Sequence, residues 1–239
     1  MIHLRTTIPD FLKNSRMLIF GVKEDDFIKQ RILEYNFDET RITEAAAAFE
    51  EAEKTESNKT LEYGEQLEAK ARFDKLMEES EYIFKKHADF IKLALRDDIE
   101  KQNLLFITGQ PRSQKLIDWF KYVLEFYNRV LGDDDVVGRA AKYGITKEKL
   151  EQGRQTITTA QDAKTKHEKE MGEAQDATDQ RDTAFEILLY IVEELELICK
   201  YALEDRPQLL EKLGIEVLSP GYKKKSKSKK EEETEEPVS

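Results

Sequence analysis

The phrase YALEDRPQLLEKLGI at residues 201–215 restates LALRDDIEKQNLLFI at residues 93–107, 108 positions earlier. The same shift aligns the chain with itself, without a gap, from about residue 10 to residue 107. An internal repeat constrains folding strongly, because both copies must suit one set of elements and each is the nearest available cover for the other's apolar face. Identical pairs include Asp25/Asp133, Asp26/Asp134, Arg31/Arg139, Tyr35/Tyr143, Gly64/Gly172, Asp74/Asp182, Tyr82/Tyr190, Lys92/Lys200 and Asp97/Asp205. Roughly one pair in five is identical, against about one in fifteen from composition alone. Conservative pairs such as Phe11/Trp119, Phe37/Ile145, Ile42/Leu150, Phe49/Ile157 and Met77/Phe185 follow the same shift.

The matched positions fall at structural punctuation. Asn36 pairs with Gly144, the two residue types that most easily adopt the left-handed conformation closing a helix. Two positions on, Asp38 pairs with Thr146, and both are good N-caps. Phe37 and Ile145 precede those caps, and Ile42 and Leu150 stand at N4, which is the hydrophobic staple pattern in both copies. Asp97…Glu100 and Asp205…Gln208 have capping-box spacing, with Pro207 in the first turn and Gly214 suited to the helix end.

Four helices per copy follow: about 8–20 with Thr7 as cap and Pro9 in its first turn, 25–35, 39–96 and 98–105, matched by 112–131, 134–143, 147–204 and 206–213. The third element is the ambiguous one. Apolar residues recur at heptad steps near its ends (Ile42, Phe49; Met77, Phe84, Ile91), and again in the second copy (Leu150, Ile157; Phe185, Val192, Cys199). Between them, residues 53–70 and 161–180 are polar almost all round, which suits an exposed helix or a hidden turn. Gly64 and Gly172 would be the hairpin tips. The gapless alignment and the lack of Pro there favour one continuous helix of roughly 85 Å.

The expected fold is therefore all-α: an elongated helical bundle or antiparallel coiled coil, built from two tandem repeats of ~108 residues related by pseudo-twofold symmetry. Residues 1–108 and 109–216 are the two repeats, packed as one domain, and 217–239 is a disordered Lys/Glu-rich tail. The aromatic stretch LIDWFKYVLEFY, 116–127, is expected to pack on both 82–95 and 185–203, with a charged arm projecting from that core. FLKNSRMLIF would fill the equivalent place in the other half.

Charged residues make up 37% of the chain and the net charge is −11. The tail holds six Lys and five Glu, so the body is near −12, a field that repels phosphate backbones. The adjacent blocks of Lys and Glu in the tail favour mutual neutralisation, with weak, salt-sensitive contact of the lysines with anionic lipid or nucleic acid as the alternative; nucleic acid is otherwise disfavoured. A single cysteine excludes an intramolecular disulfide and fits a reducing compartment. Arg5 is followed only by the short apolar run MLIF, and no run approaches the ~20 residues that span a bilayer. A cytoplasmic location is expected.

Chemistry is sparse. His3, His87 and His167 are scattered, and neither helical histidine completes the Glu-x-x-His pairs of carboxylate-bridged metal bundles. No HExxH, phosphate-binding glycine loop or GxSxG elbow occurs. Cys199 aligns with Ile91 and reads as a small buried hydrophobe. The repeated charges Arg31/Arg139, Asp74/Asp182, Lys92/Lys200 and Asp97/Asp205 read as caps and salt bridges at equivalent joints. No catalytic, cofactor-binding or metal residues and no small-molecule site are assigned. The favoured function is a non-enzymatic helical scaffold or protein–protein interaction module, whose partner is another protein or a further copy of itself. Two alternatives stay open: a metal-binding or enzymatic bundle whose carboxylates converge on folding, and an accessory protein tethered to membrane or nucleic acid by its lysine tail.

Overall fold

The computed structural model describes residues 6–105 and 115–216. Among them are eight helices and no strand: α1 (Ile8–Glu24), α2 (Asp26–Leu33), α3 (Glu39–Ala94), α4 (Ile99–Leu104), α5 (Leu116–Leu131), α6 (Asp134–Ala141), α7 (Lys147–Ala202) and α8 (Pro207–Lys212). No described helix is long and apolar enough to cross a membrane. The Lys/Glu tail, Ile107 and residues 112–114 of the expected 112–131 helix lie outside the described residues.

The helix ends follow from single residues. Thr7 Oγ1 accepts from the Asp10 N–H and Pro9 sits in the first turn of α1. Asp25 caps α2 by accepting from the Phe27 and Ile28 N–H groups, and Asp133 caps α6 through Asp135 and Val136 in the same way. Asn36 (φ 57°) and Gly144 (φ 76°) take the left-handed conformation that closes α2 and α6. Asp38 accepts from the Arg41 N–H at 3.0 Å and Thr146 from Lys149 at 3.4 Å, starting α3 and α7. Phe37, Ile42, Ile145 and Leu150 are all buried, so both staples are closed.

The corners after the long helices depart from expectation. Asp98, not Asp97, caps α4 by accepting from the Lys101 N–H, and Arg206 occupies the cap position of α8 without a side-chain bond. Asp97 and Asp205 are instead bound by arginines, which outcompete a local N–H for a carboxylate.

Both α3 and α7 run unbroken for 56 residues, roughly 84 Å at 1.5 Å per residue. Gly64 and Gly172 lie inside them, which excludes the hairpin.

Contacts divide the described residues into two compact units, 6–51 with 185–216, and 52–184. These boundaries cut across the halves 1–108 and 109–216. In the first unit α1, α2 and the start of α3 join the end of α7 and α8. Phe11 packs on Phe185 (centroids 5.9 Å), Phe20 meets Phe49 edge-on (5.6 Å), and Leu213 lies so close to Gly21 that a Cβ there would sit 2.7 Å from it.

The second unit holds the aromatic core. Phe84 receives Trp119, Tyr122 and Phe126 edge-on at 5.3–6.3 Å, and Ile91, Leu95, Ile145, Leu150 and Ile157 complete the cluster. The stretch 116–127 thus packs on 82–95 as expected, while 185–203 falls in the first unit, where Phe185 meets Phe11. Each core combines the end of one long helix with the start of the other, rather than two C-terminal ends.

The polar stretches 53–70 and 161–180 meet each other. Within the second unit they form a narrow seam. Buried or half-buried positions on α3 include 52, 55, 59, 62, 66, 69, 73, 76 and 80, with 56 and 77 at the flank; on α7 they include 160, 163, 167, 170, 174, 177, 181 and 184, with 164, 173, 178 and 182 at the flank. Such alternating steps of three and four are coiled-coil spacing. The pairing is antiparallel: Arg181 lies 3.8 Å from Glu56, while the Phe73 ring stacks on His167 at 6.2 Å. Alanine fills much of the seam (Ala52, Ala69, Ala160, Ala163, Ala174, Ala177, Ala184), so its apolar signal is faint. The heptad read from the helix ends would pass through Tyr63 and Lys70, both of which are exposed.

Candidate functional site

Three glutamates converge within that seam. Glu62 and Glu170 stand at seam positions of α3 and α7, and Glu65 lies one turn beyond Glu62. One carboxylate oxygen from each lies within 4.8 Å of the other two. Glu170 is only 6% exposed, and its Oε2 has no hydrogen-bond partner. Lys166 Nζ stands 4.0 Å from Glu170 Oε1 on a side chain that is mostly in solvent. Lys169 turns to Glu173 at 2.9 Å; that bond raises its pKa, and the more distant Glu170 and Glu62 add to the shift. The open groove around the cluster is lined by Glu65, Glu68 and Arg72 on α3 and by Thr159, Asp162 and Lys166 on α7.

Carboxylates this close repel one another, and a cation between them would relieve that repulsion. The donors are all oxygen, which suits hard cations such as Mg²⁺, Ca²⁺ or Mn²⁺ and not a thiolate-seeking metal. None of the three was assigned from sequence. A usable signal was there: Glu62 and Glu170 are 108 positions apart, hence an aligned pair, and both lie within the stretches read as uniformly polar.

The two described histidines, His87 and His167, fill packing roles. His87 is buried, with Nδ1 2.9 Å from the Tyr127 hydroxyl, and both side chains close over Gly153. Burial, reinforced by Lys86 and Lys149, pulls His87 down to about 4, and burial pushes the Tyr127 phenol up. His167 stacks on Phe73. Cys199 is fully buried, and that burial together with Glu196 pushes its thiol up to about 12, the environment of a cysteine packed as a small hydrophobe.

The repeated charges form two clamps. In the first unit Arg31 Nε donates to the Ala202 carbonyl at 2.8 Å and its guanidinium pairs with Asp205 at 2.7 Å. In the second, Arg139 Nε donates to the Ala94 carbonyl at 3.1 Å and its guanidinium pairs with Asp97. Each clamp satisfies a carbonyl in the last turn of a long helix, where backbone acceptors lack internal partners. Asp74 and Lys200 make only local pairs along their own helices, with Lys70 and Glu196; Asp182 meets Arg181 at 3.1 Å.

The described chain belongs, by its architecture, to the all-helical proteins. No protein-family model, curated protein or solved structure matches it.

Proposed function

We propose that this chain is a non-enzymatic helical scaffold, made by doubling an ancestral unit of ~108 residues whose two copies exchange their end elements. The observation that carries this is the pair of clamps. Arg31 and Arg139 are aligned residues, and each grips the corner that the other copy supplies, Ala202 with Asp205 and Ala94 with Asp97. Element lengths agree with it, at 8, 56 and 6 residues for α2, α3 and α4 and again for α6, α7 and α8. Exchange of this kind would restrain a pair of very long helices at both ends and leave their outer faces for a protein partner. The test is capture on the immobilised chain from extract of its native source, followed by calorimetry with the purified captured protein. Stoichiometric binding that weakens when exposed residues of α3 or α7 are charge-reversed supports the scaffold; turnover of a small molecule by the purified chain, with no protein bound, overturns it.

A second function, cation binding by the bundle, is favoured by one observation: the buried, unbonded Glu170 Oε2 beside Glu62 and Glu65. A divalent cation would be held by these three carboxylates and would relieve their repulsion. Thermal unfolding with Mg²⁺, Ca²⁺ and Mn²⁺ should show a rise in midpoint that disappears in Glu170→Gln. No rise at millimolar concentrations of any of the three would remove this function.

A further inference from the structure

We infer that the outer face of α3 between residues 53 and 75 is a docking surface for a second copy of this chain, in a reversible antiparallel dimer. This surface lies on one helix of the second unit, and its assignment depends on neither the scaffold nor the cation function.

The face opposite the seam carries Ser57, Leu61, Gly64, Leu67 and Ala71, all of them exposed. Leu61 is 59% and Leu67 49% exposed, and they flank Gly64 on the solvent face. Ser57, Gly64 and Ala71 recur every seven residues along the same stripe, and a Cβ built at Gly64 would meet nothing within 4 Å. Small side chains at that period let a second helix approach closely, since interaxial distance is set by the residues at the contact.

Charge identifies the occupant. Place a second α3 antiparallel with Gly64 at the crossing point. Leu61 then meets Leu67 of the second copy, and Ser57 meets Ala71. Further out, Glu53 meets Lys75 and Lys54 meets Asp74. A twofold axis makes every one of these contacts twice, as an isologous interface requires. The complementary run ends at Glu78, which would face Glu50.

The equivalent face of α7 is the internal contrast. Paired with itself about Gly172, it sets Glu168 against Asp176, both exposed, with Lys169 and Gln175 where α3 has its leucines. Like charges directly opposed reject that pairing. Two aligned faces of one chain thus differ in the one respect that decides homotypic docking.

The contact is small. At 1.5 Å per residue the run is about 34 Å long and roughly 10 Å wide, which buries below ~1,000 Å² in total, the range of transient dimers.

Sedimentation equilibrium of the full chain from micromolar to millimolar concentration tests this, with circular dichroism as the folding control. A reversible monomer–dimer equilibrium is expected, absent in Leu61→Glu/Leu67→Glu. Lys54→Glu and Asp74→Lys should each weaken it about fivefold, and the two together should restore it. Under mild oxidation Gly64→Cys should form a disulfide-linked dimer and Gly172→Cys should not. A mass independent of concentration overturns the inference. So does a dimer that survives the leucine double variant in folded form, or one that Gly172→Cys cross-links as readily as Gly64→Cys. Should the leucine variant lose its helicity, the charge exchange and the cysteine pair decide.

Discussion

His87 gives the second unit an acid-sensitive joint whose size can be worked out. The imidazole is buried against Tyr127 and Gly153, and its pKa is held near 4 rather than 6.5. A lowered native pKa means that the unfolded chain binds more protons below pH 6.5, so stability must rise with pH across this window. The contribution is complete above about pH 6.5, shrinks as pH falls, and levels off below about pH 4. With these two values, unfolding becomes easier by about 2 kcal/mol between pH 7 and pH 5, and by about 3 kcal/mol at pH 4. Other groups also titrate there, so the informative quantity is the difference between the native chain and His87→Gln, which keeps a polar partner for Tyr127 without the titration. The chain's single tryptophan, Trp119, is buried in the same unit and reports its unfolding by fluorescence in urea. Native stability should fall relative to the variant by about 2 kcal/mol from pH 7 to pH 5. A difference that stays constant over that range would refute the assignment of His87 as buried and neutral.

Glycines that are aligned with nothing but open space, and glycines that are not, should respond oppositely. Gly153→Ala should destabilise by about 1–3 kcal/mol, because the new Cβ would lie 2.6 Å from the Tyr127 oxygen and 2.9 Å from His87. Gly172→Ala, with nothing within 4 Å, should stabilise α7 by about 0.5–1 kcal/mol; urea midpoints distinguish the two. Cys199, buried and held up to about 12, should resist thiol reagents at pH 8 until the chain is unfolded, and native labelling at the rate of a free thiol would contradict its placement. Glu170→Gln should raise the urea midpoint in chelator-treated buffer, since it removes one of three mutually repelling carboxylates; a lowered midpoint would show that the charge is otherwise compensated.

Local features proved legible in sequence and long-range ones much less so. Asn36, Gly144, Asp38, Thr146 and Gly214 act on backbone a few residues away, so their identities suffice to place the turns. Asp97 and Asp205 look like caps by spacing, yet partners far along the chain, Arg139 and Arg31, claim them. The seam of 53–70 and 161–180 escaped notice because alanine and threonine bury little apolar surface per residue, although they pack tightly. The carboxylate cluster was hidden by abundance: with 50 acidic residues, Glu62, Glu65 and Glu170 stand out only once α3 and α7 are set antiparallel.

The exchange of corners between the two copies is most directly tested by double-mutant cycles. Arg31 with Asp205 and Arg139 with Asp97 should each show a coupling of about 0.5–1 kcal/mol in urea unfolding. The within-copy cycles, Arg31 with Asp97 and Arg139 with Asp205, should show none. Coupling confined to the within-copy pairs would mean that each half closes on its own corner, and the proposed exchange would be wrong.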